Sequence, residues 1–93
     1  MRLDLFLKVS RLIPRRSLAQ GFCDGGFVSV NGSSAKSSKE IKINDEIEIR
    51  RRNRVTRAVV LRVPDKNQMS KAGAEDLYQI VSEETVAEKD PLA

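Results

Sequence analysis

Residues 1–36 read MRLDLFLKVSRLIPRRSLAQGFCDGGFVSVNGSSAK. The apolar side chains at the start of this stretch recur with helical spacing, and they are Leu3, Phe6, Leu7, Val9, Leu12 and Ile13. Pro14 is expected to end this first helix, because the residue before a proline avoids the helical conformation. The same proline has a backbone angle suited to a helix start, so a second helix is predicted over residues 14–24. Glycines at positions 25 and 26 end that helix, and its predicted buried residues are Leu18, Phe22 and Cys23.

Short strands and turns follow the two helices. Residues 27–30 alternate as a strand, and Asn31-Gly32 is a strong signal for a hairpin turn. After a turn at Asn44-Asp45, residues 46–50 alternate between charged side chains and isoleucine, which is typical of a half-buried strand. These elements predict a hairpin next to the helices and the start of a second one.

The arginine-rich run over residues 50–54 is expected at the tip of that second hairpin. Its return strand spans residues 55–63, has an irregularity near Arg57-Ala58, and presents on one face Val55, Val59, Leu61 and Val63. Residues 64–74 are predicted to form a polar loop, and residues 77–81 to add a last strand.

The fold class that follows is α+β, with two N-terminal helices packed on a small, mostly antiparallel sheet. Ninety-three residues make one domain with a modest core. We expect a single domain over residues 1–82, with a core motif over about 1–50 and a C-terminal hairpin and last strand over about 46–82. Residues 83–93 are expected to form a short acidic tail.

Charge is distributed unevenly along the chain. The formal net charge of +4 combines +8 over residues 1–62 with −4 over residues 63–93. A basic body of this kind indicates a polyanionic partner. The alternative is a soluble surface whose charges are merely spread unevenly.

The first group of candidate binding residues is Arg2, Arg11, Arg15 and Arg16. The junction at Pro14 is expected to bring the last three together at the start of the second helix. Cations at a helix N-terminus oppose the preference of the helix dipole for anions, so the arrangement suits an external phosphate. Two solvated arginines on an exposed turn remain the alternative.

Two further basic groups are less specific. Lys36, Lys39 and Lys42 follow the first hairpin turn and could all reach phosphates from a loop. The other group is equally consistent with a polyanion contact and with charge that blocks aggregation at a sheet edge, and its members are Arg50, Arg51, Arg52, Arg54, Arg57 and Arg62.

Residue types that carry catalysis or bind metals are scarce. The chain has no histidine and a single cysteine, Cys23, so no serine, cysteine or lysine has a histidine partner and no disulfide or cysteine-rich metal site is expected. The N-terminus lacks a signal-peptide pattern, and no apolar run approaches the roughly 18 residues of a membrane span. We therefore expect a soluble, cytoplasmic binding protein without cofactor or metal, not an enzyme.

The motif residues of the first half of the chain resemble a known family as a set: Arg2-Leu3-Asp4, Phe6-Leu7, Arg11-Leu12-Ile13, Arg15-Arg16-Ser17, Ala19, Gly26, Val28, Val30-Asn31-Gly32, Ala35-Lys36, Asp45 and Ile47. Together they closely resemble the small RNA-binding module named after ribosomal small-subunit protein S-four. The resemblance implies two helices followed by a small sheet, the αL RNA-binding motif. It also implies that the helix pair and the first hairpin bind structured RNA.

The module also occurs in pseudouridine synthases, tyrosyl-tRNA synthetases and rRNA methyltransferases, whose catalytic domains this chain has no room for. Its short length and acidic tail resemble the RqcP-type factor of bacterial ribosome-associated quality control, which is related to the heat-shock RNA-binding proteins. That resemblance implies a monomer that binds large-subunit rRNA and peptidyl-tRNA on an obstructed large ribosomal subunit, and supports alanine tailing by an RqcH-type partner. The candidate RNA-binding residues are Arg2, Asp4, Lys8, Arg11, Arg15, Arg16, Asn31, Lys36, Arg51 and Arg52.

Three alternatives stay open at this point. The heat-shock type differs in what it does with the stranded tRNA. A DNA-binding helix-turn-helix would need a three- to four-residue turn between the helices, which an immediate junction at Pro14 would not provide. A fragment of an RNA-modifying enzyme would need partner groups for Asp4 and Asp45.

Overall fold

The computed structural model describes residues 1–65 and 69–85. Its elements are α1 (Leu3–Val9), α2 (Arg16–Asp24), β1 (Val28–Val30), β2 (Ser33–Ser34), β3 (Glu46–Arg51), β4 (Arg54–Val60), α3 (Lys71–Glu75) and β5 (Tyr78–Thr85). The five strands form one sheet in the order β2-β1-β3-β4-β5, and every neighbouring pair is antiparallel. The predicted α+β class, with two helices on a small antiparallel sheet, is confirmed.

The core lies between α1 and the middle of the sheet. Leu3, Phe6 and Leu7 of α1 are fully buried, and they share one apolar cluster with Ile47 and Ile49 of β3. Burying a side chain of this size contributes about 1.5–3 kcal/mol. The apolar side chains that recur with helical spacing in α1 and those that alternate in β3 therefore share one core, which packs α1 on the sheet.

The first helix ends earlier than Pro14, so the predicted junction is wrong. The Ser10 hydroxyl donates to the Leu7 carbonyl at 3.2 Å, and Arg11 has a left-handed backbone with φ 62°. The Ile13 N–H also donates to the Leu7 carbonyl, at 3.1 Å. The chain therefore leaves the helix after Val9, and Pro14 lies in the linker.

The second helix begins at Arg16, with Arg15 as its extended N-cap residue. Cys23 is buried as predicted, Phe22 is half-buried, and Leu18 is 45% exposed, contrary to expectation. Ala19 takes the buried position instead. Burial, together with the nearby carboxylates of Asp4 and Asp24, raises the pKa of the Cys23 thiol to about 11.

Both predicted hairpins are present. Asn31 and Gly32 adopt left-handed backbones, with φ 52° and 87°, in the turn between β1 and β2. This is the conformation that a two-residue turn needs and that Asn-Gly supplies at low cost. The tip between β3 and β4 falls within the arginine-rich run, as expected.

The buried face of β4 differs from the predicted one. Thr56, Ala58 and Val60 are buried, whereas Val55 and Val59 are only partly covered. Apolar side chains occupy both faces of this strand, so their pattern does not identify the inner face. The irregularity near Arg57-Ala58 is confirmed, because the register with β5 shifts between these two residues.

The C-terminal part contains more regular structure than predicted. The helix α3 interrupts the expected polar loop, and the Ser70 hydroxyl caps it by accepting the Gly73 N–H at 3.1 Å. The last strand runs to Thr85, so the expected tail does not begin at residue 83. Residues 86–93 of that tail lie outside the described residues.

Candidate nucleic-acid interface

One buried carboxylate organises the basic surface of α1 and α2. The Asp4 side chain is fully buried, and its Oδ1 lies 3.2 Å from Arg2 Nε while its Oδ2 lies 3.2 Å from Arg16 Nε. Gln20 Nε2 donates to Oδ2 at 2.9 Å, and the Leu5 N–H donates to Oδ1 at 2.8 Å. We call the four side chains Arg2, Asp4, Arg16 and Gln20 the Asp4 clamp.

The protonation of Asp4 follows from these contacts. Burial alone would raise its pKa, but hydrogen bonds from Gln20, Arg16 and the Leu5 N–H, with the positive charge of Arg16, outweigh it. The pKa of Asp4 therefore lies below its ordinary value, and the group is a carboxylate at neutral pH. A buried anion with charged donors is stable only while those donors stay in place.

The clamp leaves its arginines on the surface. Arg2 and Arg16 are 47% and 45% exposed, and each is bound to Asp4 through Nε. In the part of the chain that the structure describes, their terminal amino groups have no other hydrogen-bond or ion-pair partner. The buried carboxylate thus orients two guanidinium groups through their Nε atoms and leaves their outer nitrogens available to an anion.

The start of α2 adds to this positive surface. The helix has no side-chain N-cap hydrogen bond and no acidic residue in its first turn, and Arg15, Arg16 and Ser17 are all exposed there. Backbone N–H groups and the positive end of the helix dipole favour an anion at such a position. The phosphate site stays a prediction, and the helix that would form it begins two residues after Pro14.

The loop after β2 joins the same surface. The N–H groups of Leu3 and Asp4 donate to the carbonyls of Lys39 and Ser37, at 2.7 and 3.1 Å. This loop therefore provides hydrogen-bond acceptors for the first backbone N–H groups of α1. An isolated bridge pairs Arg2 with Glu40. Lys36 and Lys39 are therefore exposed residues of a loop whose backbone is bonded to the start of α1.

Arg11 is held by a different part of the fold. Its Nη2 donates to the Met69 carbonyl at 3.3 Å, and it lines a groove of about 300 Å³ with residues of α3, including Lys71. Arg16 is bound to Asp4 instead. A shared partner thus joins Arg2 with Arg16, not Arg11 with Arg16 as the predicted junction implied.

Three of the candidate residues have internal roles. Asp4 is fully buried, so it supports the arginines and does not itself offer a surface to RNA. The Asn31 amide donates to Asp45 Oδ1 at 3.1 Å and accepts the Glu46 N–H at 2.9 Å, which ties the first hairpin turn to β3. Both residues have structural roles; direct RNA contact is excluded by burial for Asp4 and stays a prediction for Asn31, which is exposed.

Arg51 is the third of these residues. Its Nη2 donates to the Leu12 carbonyl at 2.7 Å and its Nη1 to Thr56 Oγ1 at 3.4 Å. Burial and the neighbouring Arg54 lower its pKa. Arg51 therefore fastens the α1–α2 linker to the sheet, while Arg52 is exposed at the hairpin tip and Lys8 is half-buried on α1.

The sequence interpretation missed Gln20, although a signal for it exists. Gln20 follows Arg16 by four positions, so the two side chains lie on the same face of α2 and can reach one acceptor. Lys39 belongs to the less specific lysine group of the sequence analysis, and the folded loop bonds its carbonyl to the Leu3 N–H at the start of α1.

The described residues also bear on membrane insertion and metal binding. No helix formed by the described residues is long and apolar enough to cross a membrane. Across residues 1–65 and 69–85, no group of three or more His, Cys, Asp or Glu side chains is placed to hold a metal ion.

Comparison with known proteins identifies the class. Residues 1–47 match the S4 domain, and this segment contains the whole Asp4 clamp and the first hairpin. A solved structure of heat shock protein 15 from Vibrio cholerae superposes with a TM-score of 0.81 at 30% identity, covering 88% of this chain and 82% of that one. The solution structure of hypothetical protein HP1423 superposes with a TM-score of 0.77 at 32% identity, covering 90% and 100%.

Relatives of similar length narrow the class further. The RQC P-site tRNA stabilizing factor of Streptococcus pneumoniae is 46% identical over 88 residues, covering 95% of this chain and 98% of that protein. Its Bacillus subtilis counterpart is 42% identical, covering 95% and 100%. The chain therefore belongs to the S4-domain family of RQC P-site tRNA stabilizing factors. This membership supersedes the helix-turn-helix and enzyme-fragment alternatives.

Proposed function

We propose that the chain is a non-catalytic RNA-binding factor of ribosome-associated quality control that stabilises tRNA in the P site of an obstructed large ribosomal subunit. The carrying observation is the Asp4 clamp, a pair of pre-oriented arginines inside the segment that matches the S4 domain. The name shared by relatives that match nearly the whole chain supports the particular pathway.

The clamp suits recognition of an RNA backbone. Arg2 and Arg16 are each bound through Nε by a buried carboxylate, so little side-chain freedom is lost when their outer nitrogens meet a phosphate. Contacts of this kind fix position and orientation without reading sequence. The surface therefore recognises where phosphates lie in a folded RNA.

Two basic edges meet at this surface. One is the start of α2 with Arg15 and Arg16, and the other is the loop with Lys36 and Lys39, bonded to the start of α1. We infer that one edge contacts large-subunit rRNA and the other the peptidyl-tRNA, so that the protein bridges the two. Such a bridge stabilises the bound tRNA by mass action and needs no catalytic group.

The downstream role is the support of C-terminal alanine tailing by an RqcH-type partner, with the factor acting as a monomer in the bacterial cytoplasm. A tRNA held in the P site keeps the nascent chain in place for successive additions. In this role the factor remains bound while the partner protein does the chemistry.

Co-sedimentation with purified large subunits tests the proposal. We expect the chain to pellet with subunits that carry peptidyl-tRNA in preference to empty subunits, and Arg2→Ala and Arg16→Ala to reduce that preference. Arg62→Ala is the matched control, because Arg62 is an exposed arginine outside the S4 segment. Equal pelleting with both kinds of subunit, or equal losses in all three variants, would contradict it.

A second candidate is a role like that of heat shock protein 15, favoured by the TM-score of 0.81 to the Vibrio cholerae structure. The two roles differ in what the factor does with the stranded tRNA. Addition of the chain to stalled subunits with the tailing partner should lengthen the alanine tail under the first proposal and leave it unchanged under the second.

A further inference from the structure

A groove beside the C-terminal half of α2 contains none of the residues of the Asp4 clamp, although its lining includes the candidate residues Arg51 and Arg52. It has a volume of about 690 Å³ and is lined by Gly21, Phe22, Phe27, Arg50, Arg51 and Arg52. We call it the aromatic groove. Its size falls in the range of about 300–1,000 Å³ that is typical of small-molecule sites.

The aromatic side of the groove is exposed but held in place. Phe27 is 51% exposed, and its ring centroid lies 6.0 Å from that of Phe22, with the ring planes at 58°. Its N–H donates to the Phe22 carbonyl at 2.9 Å, and its carbonyl accepts the Arg50 N–H at 2.8 Å. The ring also lies against Gly25, where an added Cβ would meet Phe27 Cε2 at 2.8 Å.

The other side of the groove is cationic. All three of its charged lining residues are arginines, and none of its lining residues carries a carboxylate. Arg50 is 65% exposed and is paired with Glu48 through Nε at 3.3 Å, while Arg51 is anchored to the Leu12 carbonyl. The groove thus offers a fixed aromatic face next to positive charge.

We propose that the aromatic groove binds an unstacked nucleotide of a single-stranded RNA segment, with the base on Phe27 and its phosphate beside Arg50. Charge complementarity carries this assignment, because a nucleotide combines a flat apolar face with a negative charge. Base–aromatic stacking is a general way to hold single-stranded RNA without regard to sequence. The proposal rests on the proposed RNA-binding function and adds a site that the Asp4 clamp does not contain.

The test uses the full chain and a short single-stranded RNA with one 2-aminopurine, whose fluorescence falls when the base stacks. We expect binding of the wild-type chain to quench the probe. Phe27→Ala and Phe27→Leu should both abolish the quench and weaken binding by about tenfold or more, the loss expected for one stacked base. Val81→Ala is the control, since Val81 is 58% exposed on β5 and outside the groove.

A second variant blocks the groove without removing the ring. Gly21 lies within α2, and a Cβ added there would have nothing within 4 Å, so Gly21→Leu should fold while filling the groove. We expect it to lose the quench as Phe27→Ala does. Affinity for a fully paired RNA duplex should stay at the wild-type level in both variants, because the clamp is untouched.

The outcomes separate this proposal from the proposed function. If Arg16→Ala weakens RNA binding while Phe27→Ala and Gly21→Leu leave the quench intact, the groove is not a base site and the proposed function stands. If Arg16→Ala also has no effect, both fail. If the groove variants lose only the interaction with the tailing partner, the groove is a protein-docking surface and the nucleotide assignment is overturned.

Discussion

The Nε of Arg16 lies 3.2 Å from Oδ2 of Asp4, a carboxylate on the preceding helix that is fully buried. Most surface arginines are mobile, and most buried carboxylates are costly. In this pair the buried carboxylate orients the arginine and limits its mobility. The arginine in turn offsets the cost of burying the carboxylate and helps to keep it charged. The contact also ties α2 to α1, so the same pair serves stability and the proposed RNA surface.

Replacing Asp4 by asparagine tests whether Asp4 acts by orienting the two arginines or only through its negative charge. Asp4→Asn should lower the free energy of unfolding by about 1.5–3 kcal/mol, the range for hydrogen bonds to a charged group. It should also weaken RNA binding, because Arg2 and Arg16 lose their orientation. Urea unfolding and a binding titration measure the two effects.

Asp24→Asn is the matched control for that experiment. Asp24 is an exposed carboxylate at the end of α2, so its removal should leave stability nearly unchanged and RNA binding unchanged or slightly stronger. If Asp4→Asn strengthened RNA binding as well, Asp4 would act only as a repulsive charge.

The salt dependence of RNA binding reports on Arg16 directly. Arg16→Ala should reduce the slope of log affinity against log salt by about 0.7–0.9, the value for one phosphate contact, and should do so for RNAs of different sequence. A series of titrations at increasing salt measures the slope. An unchanged slope would remove Arg16 from the contact surface.

Stability should fall in acid through Asp4. Its pKa is lowered in the folded chain, so its contribution is fully present above the unfolded pKa of about 3.9 and is lost as the pH falls through the lower folded value. The difference in unfolding free energy between wild type and Asp4→Asn should therefore shrink below about pH 4.

Denaturant unfolding at several pH values measures that difference. Glu40 also has a lowered pKa, caused by its hydrogen bond to the N-terminal amine, but both proteins contain it and its effect cancels. A difference that stayed constant down to strongly acidic pH would mean that Asp4 is not stabilised as a carboxylate.

Two glycines should respond in opposite directions to alanine. Gly32 has φ 87° with open space around it, so Gly32→Ala should destabilise by about 1 kcal/mol through backbone strain alone. Gly21 lies inside α2, also in open space, so Gly21→Ala should stabilise by about 0.5–1 kcal/mol. Thermal melts of the two variants compare them, and equal signs would contradict the assigned backbone conformations.

Local patterns in the chain predicted much of this molecule. The helical spacing from Leu3 to Leu7, the alternation around Ile47 and the Asn31-Gly32 turn all led to the observed elements. Each depends on neighbours in sequence, because side-chain period and backbone freedom are local properties. The same motif residues sufficed to identify the S4 domain.

The predictions that were wrong share a physical cause. The end of α1 depends on the Ser10 hydroxyl and the left-handed backbone of Arg11. The prediction relied on Pro14 instead and placed the end of the helix too late in the sequence. The inner face of β4 depends on which side meets the core, which Val55 and Val59 do not reveal. Both are decided by energies that a one-dimensional pattern does not contain.

The basic surface shows most clearly which features follow from the sequence and which follow only from the tertiary structure. Composition and spacing alone established that arginines crowd the two helices and that no histidine or cysteine cluster accompanies them. Only the packing of α2 against α1 decided that Arg2 and Arg16 share the buried Asp4, whereas Arg11 turns toward Met69. The reason is that a charge buried by tertiary contacts must find its partners in space, and residues 12 and 16 positions away in sequence supply them.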